Sequence, residues 1–346
     1  MEQRILGRTG VSVSSLCLGA MMFGAWGNKD RHASIQIIHR ALDAGINFLD
    51  TADVYSDGES EEIVGQALKG RRDGVVLATK FFLPMGDDPN RRGGSRRWVM
   101  RAVEDSLRRL GTDYIDLYQM HRPDPTVDID ETLGALSDLV HQGKIRYLGS
   151  SAFSASQIVE AQWAASRQGS QRFVTEQPSY SILAREIEMD ILPTTQRHGM
   201  GTLTYSPLAG GWLSGSWTKD SSPTSPARQR LAARFDMALP GNQRKLEVVE
   251  RLAPVAEAAG LSMIEMAIAF VLQHPGVTSA IIGPRTLEQL ESQLPGGSAV
   301  LTDGVLDQID AIATPGVTIN QPDTSYGERE LAHAARRRGA RAARER

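Results

Sequence analysis

Four residues within the first 121 positions could do proton chemistry together: Asp50, Tyr55, Lys80 and His121. A tyrosine phenol ordinarily titrates near about 10, so at neutral pH it is a reluctant acid. A neighbouring ammonium stabilises the phenolate and lowers that value, and Lys80 can supply one. Asp50 can hold Lys80 in place and keep it charged. His121 can hydrogen-bond a substrate oxygen and orient a carbonyl. Tyr55 would then protonate an alkoxide as hydride arrives at carbon, which is general acid catalysis. Taken singly, each residue has a plainer explanation. Asp50 could cap a turn, Tyr55 pack on a rim, Lys80 be solvated and His121 be a structural histidine. Their joint placement at the ends of three successive segments favours the chemistry.

Those segments share a pattern. Asn47 to Asp50 runs apolar to polar and spills into a loop that carries Tyr55. Val75 to Thr79 ends at Lys80, Tyr114 to Met120 at His121, and Phe173 to Glu176 at Gln177. Each reads as a buried strand with polar residues at its carboxyl end. Further strands are expected at Ser15 to Gly19, Lys144 to Leu148, Gly201 to Tyr205 and Val277 to Ile282. Helical spacing is expected between them, for example from Arg31 to Ala44, after Ser95 to Leu110, and from Ile129 to His141. Eight strands alternating with helices at about thirty residues per unit imply a (β/α)8 TIM barrel, in which every strand opens on one catalytic face. Arg4 to Leu6 and Val11 to Val13, around a Gly-bearing turn, add an N-terminal hairpin. Pro193 is expected to kink or split the helical stretch Arg185 to His198. The long segment from Gly210 to Gln243, after strand seven, is rich in Gly, Ser and Pro and has no clear period. It is read as a lid-like loop. Residues 1–320 are expected to be a single barrel domain and residues 321–346 an Arg-rich C-terminal tail.

Composition sets the outer bounds. With 346 residues, 41% hydrophobic and 23% charged, the chain is ordinary globular material. A net charge of −3 gives no bulk field for nucleic acid. No run approaches the roughly 18 apolar residues of a membrane helix, and Met1 to Arg4 is not followed by a signal-like apolar stretch. The one cysteine, Cys17, lies in the apolar run Leu16-Cys17-Leu18, which reads as a buried, inert thiol. A cytoplasmic protein with no metal site and no nucleic-acid or membrane partner is the expectation. Nothing in the sequence fixes the oligomeric state.

Gly45-Ile46-Asn47-Phe48-Leu49-Asp50-Thr51-Ala52-Asp53-Val54-Tyr55, with the stretches ending at Lys80 and His121, resembles the aldo-keto reductases. The likeness covers nearly the whole chain. It implies a catalytic tetrad of Asp50, Tyr55, Lys80 and His121, and NADP(H) lying across the barrel mouth without a Rossmann domain. That agrees with the absence of any Gly-x-Gly-x-x-Gly. The resemblance places Ala20 and Met21 near the nicotinamide, Ser151 and Gln177 on its carboxamide, and Tyr205 stacked on its ring. Asp50 is counted among the cofactor contacts as well. Ser206, Pro207, Leu208 and Gly210 match the pyrophosphate loop, with Arg228 a further candidate. Gly283 and Arg285 match the loop on the 2′-phosphate, and Gln289 and Gln293 match adenosine contacts. Two positions depart from the family pattern. Ala152 stands where asparagine is usual, and Ser292-Gln293 replaces an acidic–amide pair. The subgroup is similar to bacterial reductases related to the potassium-channel β subunits and to sugar and aryl-aldehyde reductases. Trp26, Phe81, Phe82 and Trp212 (or Trp217) would form the substrate wall, suited to a small-molecule aldehyde or ketone with an apolar or ring-bearing body.

Two rival readings stay open at this level. One is an NADPH-binding regulatory subunit with little turnover, as the channel subunits suggest. The other is a Schiff-base aldolase using the Lys80 amine, which leaves Tyr55, Gln177, Tyr205 and Arg285 without roles.

Overall fold

Inside the barrel three adjacent strands change character over two residues. Phe48 and then Asp50, Ala78 and then Lys80, Leu117 and then Gln119 point inward, because side chains two apart on a strand share a face. The result is an apolar floor under a polar upper layer. The floor comprises Cys17, Phe48, Ala78, Leu117, Leu203 and Ile281, joined by Leu6 and Val13. This is a computed structural model that describes residues 1–218 and 231–324.

The eight barrel strands are β3 (Leu16–Gly19), β4 (Phe48–Asp50), β5 (Val76–Phe81), β6 (Ile115–Met120), β7 (Ile145–Ser151), β8 (Phe173–Gln177), β9 (Gly201–Tyr205) and β10 (Ser279–Ile282). All pair in parallel, and β10 pairs with both β9 and β3 to close the barrel. The expected (β/α)8 architecture is therefore present. β1 (Gln3–Ile5) and β2 (Ser12–Ser14) form the N-terminal hairpin. It covers the amino ends of the strands. Gly7 lies so close to β8 and β9 that a Cβ there would sit 2.8 Å from the Val174 carbonyl oxygen and 2.9 Å from the Gly201 nitrogen. Its φ of +57° also suits glycine.

The surrounding helices follow their local signals. Ser95 caps α3 (Arg96–Leu110) through the Trp98 N–H, and Gly111 ends it in the left-handed region. Ser154 and Gln157 form a capping box on α5 (Ala155–Gln168). α1 (Arg31–Asp43), α2 (Glu59–Ala67) and α4 (Ile129–His141) lie where helical spacing puts them. Together they bury the outer core between helices and barrel. No single helix among the described residues is long and apolar enough to cross a membrane.

Several expectations need correction. β7 runs on to Ser151, since the backbone of Gly149, Ser150 and Ser151 pairs with β8. The break before α6 (Ile191–His198) falls at Met189 and Asp190 rather than at Pro193. Proline sits comfortably in a first helical turn, where N–H groups have no intrahelical acceptor. Among the described residues of the segment after β9 there is a turn of helix at Ala232–Phe235 and the start of the helix Pro240–Ala258. Arg228 lies outside the described residues. Residues 321–324 belong to the barrel rather than to a tail, because Asp323 is buried and paired with Arg234 and Lys245.

Candidate active site

The carboxyl ends of β4, β5 and β6 bring Asp50, Tyr55, Lys80 and His121 together. Lys80 is fully buried, and its Nζ donates to Asp50 Oδ1, to the Thr51 carbonyl at 2.9 Å and to Tyr55 Oη at 3.2 Å. The Tyr55 and His121 rings meet edge to face with centroids 5.7 Å apart. Tyr55 begins a short 3₁₀ turn, Tyr55–Gly58, in which Ser56 and Asp57 adopt positive φ. This tight turn swings the phenol back over the barrel.

Electrostatics assigns each group a protonation state. Burial works against charge on Lys80, but Asp50 and Tyr55 beside it outweigh that and hold the ammonium above its ordinary range. Burial raises the Tyr55 phenol, Lys80 draws it down and Asp50 raises it again. The balance lies above the ordinary value. The sequence argument that Lys80 lowers this pKa thus captures one influence, which burial outweighs. At neutral pH the phenol keeps its proton. His121 is held neutral by burial and by the charges of Lys80 and Arg122. A neutral imidazole can still donate one hydrogen bond.

Beside the tetrad, Gln177 Nε2 donates to Asp50 Oδ2 at 2.9 Å and Ser151 Oγ donates to the Gln177 carbonyl at 2.9 Å. Tyr205 ends β9, and the Arg122 guanidinium nearby partly offsets the burial that raises its phenol. After it, Ser206 and Ala209 take φ of +59° and +49°, and Gly210 and Gly211 follow at +69° and +98°. Left-handed non-glycine residues next to two glycines make a sharply folded backbone of the kind that cradles anions. An acceptor–hydroxyl pair, an aromatic ring and a folded backbone in that order suit a carboxamide, its ring and a pyrophosphate. The residues present therefore fit a nicotinamide dinucleotide. Gly283 and Arg285 lie on the loop after β10, and Gln289 and Gln293 on the helix Leu287–Gln293 that follows it. Arg285 is exposed, its N–H donating to Gln289 Oε1 at 2.8 Å, while Asn28 Nδ2 binds its carbonyl at 3.0 Å. Gln293 is buried with Oε1 unpartnered.

Two assigned residues are placed elsewhere. A third, Ala20, sits beside Asp50, its N–H donating to the Asp50 carbonyl and its own carbonyl accepting from Ser60 Oγ. Met21, 46% exposed, is the one that faces outward. Phe81 follows Lys80 on a strand and so points to the opposite face. It is buried against Tyr118 with ring centroids 4.9 Å apart and does not line the mouth. Trp212 is fully buried, stacked on Trp217 at 3.8 Å, with its indole N–H on the Arg234 carbonyl. Trp26, 40% exposed and 6.0 Å from the Tyr55 ring, and the half-buried Phe82 remain at the mouth.

The sequence reading missed two supports. Gln119, inside the barrel, binds Asp50. Glu176 accepts from Ser150 Oγ and the Phe153 N–H and so shapes the loop that follows Ser151. Period-two inward positions on β6 signal the first. Nothing local in the sequence signals the second.

Comparison with known proteins bears on these observations. A family model described as Aldo/keto reductase family matches residues 15–314. An uncharacterised oxidoreductase, YrpG, of Bacillus subtilis is 40% identical over 90% of this chain and 96% of its own. The aldo-keto reductase YhdN of the same organism is 38% identical over 84% and 87% respectively. A probable voltage-gated potassium channel subunit beta of Arabidopsis thaliana is 36% identical over 90% and 96%.

Proposed function

The chain belongs to the aldo/keto reductase family, and on that premise we propose that it reduces an aldehyde or ketone to the alcohol with NADPH. The observation that carries the reading is the buried Lys80 ammonium joined to both Asp50 and the Tyr55 phenol. The cofactor, when bound, supplies hydride to the carbonyl carbon. Tyr55 supplies the proton to its oxygen, and Lys80 stabilises the phenolate that remains. His121, neutral, donates to the same oxygen and fixes its direction. Ser151 and Gln177 would hold the carboxamide, and Tyr205 would offer its face to the ring. Arg285, exposed at the β10 loop, offers a guanidinium to a 2′-phosphate. Trp26 and Phe82 give the substrate an aromatic wall.

The same geometry argues against an aldolase. A Schiff base needs a free neutral amine, whereas Lys80 makes three hydrogen bonds and is held charged. The kinship to a protein named as a channel subunit supports a second reading, binding with little turnover. One experiment separates them: NADPH oxidation against a panel of aldehydes, ketones and keto-sugars, with dissociation constants for NADPH and NADH. Turnover with at least one carbonyl and at least about tenfold tighter NADPH is expected. Tight binding with no turnover on any carbonyl supports the regulatory reading, and equal constants remove the NADP assignment.

A further inference from the structure

Gln119 is fully buried on β6, two residues before His121 and opposite Lys80 in the β5–β6 register. Its other neighbour, on β7, is Gly149. A Cβ at Gly149 would lie 2.8 Å from Gln119 Cγ and 2.4 Å from Thr175 Oγ1. A glycine inside a strand gives up packing, and here it opens the space that the amide fills.

The amide joins a closed network. Gln119 Nε2 donates to Asp50 Oδ2 at 2.9 Å. Gln177 Nε2 donates to the same oxygen at 2.9 Å and to Gln119 Oε1 at 3.0 Å. Chemistry fixes these orientations. A carboxylate only accepts, so both amides must face Asp50 with their NH2 groups. The Gln119 carbonyl then lies opposite the second N–H of Gln177.

Two consequences follow. Both N–H bonds of Gln177 are held inside the barrel, which leaves its carbonyl oxygen as the group for a ligand. That oxygen selects a donor, such as the NH2 of a carboxamide. An apolar residue at position 119 would leave the Gln177 amide held by Asp50 alone, able to pivot about that one bond. Asp50 is also divided: Oδ1 serves Lys80, while Oδ2 accepts two amide N–H groups. Donation to Oδ2 weakens the push of this carboxylate on the Tyr55 phenol.

We propose that Gln119 is a positioning residue that fixes Gln177 as an acceptor for the nicotinamide carboxamide and moderates the influence of Asp50 on the Tyr55 proton. The inference rests on the NADPH-dependent reading above.

Gln119→Met keeps the length and removes both hydrogen bonds. The probes are NADP⁺ and its 3-acetylpyridine analogue, whose methyl ketone has no N–H to donate. Fluorescence titration without turnover gives the two dissociation constants. The wild type is expected to favour NADP⁺, and Gln119→Met to narrow that ratio by about threefold to tenfold, the worth of one hydrogen bond. The alkaline limb of kcat for carbonyl reduction is expected to move up by about half a unit in this variant, because an unshared Asp50 charge holds the phenol proton more tightly. An unchanged ratio and an unchanged limb would reduce Gln119 to packing.

Gln119→Glu provides a second route if the methionine variant does not fold. Its carboxyl, protonated or ionised, still accepts from the Gln177 N–H, so the preference for NADP⁺ is expected to stay close to the wild type. A narrowed ratio in this variant, which keeps the acceptor, overturns the proposal. Failure of the wild type to bind NADP⁺ would instead overturn the functional reading and this inference with it. Normal binding with an unchanged Gln119→Met ratio or a narrowed Gln119→Glu ratio overturns this inference alone.

Discussion

The tetrad contains one group that must give up a proton and one that must not. Tyr55 keeps its proton at neutral pH because burial raises it, and Lys80 makes its loss tolerable at the moment of reaction. Tyr55→Phe keeps the ring and is expected to lower kcat by about 10² or more, the scale of general acid work, with NADPH affinity unchanged in titration. Glu176 gives a separate pH signature. Burial pushes its carboxyl from an ordinary 4.5 up to about 8, against hydrogen bonds from Ser150 and the Phe153 backbone. The folded state therefore holds this proton more tightly than the unfolded chain does. Its stabilisation is complete below pH 4.5 and is lost as pH rises towards 8. Glu176→Gln cannot titrate there, so its melting temperature is expected to fall less than the wild type's between about pH 5 and pH 8.5. Parallel melting curves across that range would assign the proton elsewhere. At this scale the sequence was legible where residue type alone implies chemistry, as for Asp50, Tyr55, Lys80 and His121. It was not legible where the facing decides, as for Phe81, whose one-residue offset from Lys80 sends it outward.

Within the segment after β9, residues 231–243 are anchored from outside the segment. Asp323 takes Arg234 Nε at 2.8 Å and Lys245 Nζ at 2.7 Å. Lys245 lies 4.5 Å over the Trp212 ring, which stacks on Trp217. Asn320 and Asn242 bond to each other, and both bind the Ala233 carbonyl. The anchors come from about eighty residues downstream, which no local pattern can reveal. Removing one partner of a buried ion pair leaves the other uncompensated. Asp323→Ala is expected to cost about 3 kcal/mol locally and to raise amide exchange across residues 231–245, with β4 to β6 unchanged. Exchange that stays at the wild-type level there would mean that Trp212 and Phe235 hold the element without the ion cluster. Since Ala209, Gly210 and Gly211 adjoin the same stack, a looser anchor is also expected to speed release of NADPH.

At the scale of the molecule, the barrel was the most legible feature, because βα alternation recurs with a steady period and several strands end in polar residues. The hairpin was legible as two strands, but its role as the closure of the barrel's amino end was not, since that depends on the contact of Gly7 with β8 and β9. This closure has a practical consequence. Beneath the polar layer, the floor of the barrel holds Cys17, fully buried and the one thiol in the sequence. Leu6 and Val13 shield it from below. The polar layer that includes Asp50 and Lys80 covers it from above. Burial raises this thiol well above its ordinary value, which further slows its reaction with electrophiles. A disulfide reagent can then reach it only when the strands part. Labelling by such a reagent should be absent on the mixing timescale and, at high reagent concentration, proceed at a rate independent of that concentration. The molecule thus carries its own stopwatch for barrel opening, and NADPH, if it clamps the mouth, should slow the clock.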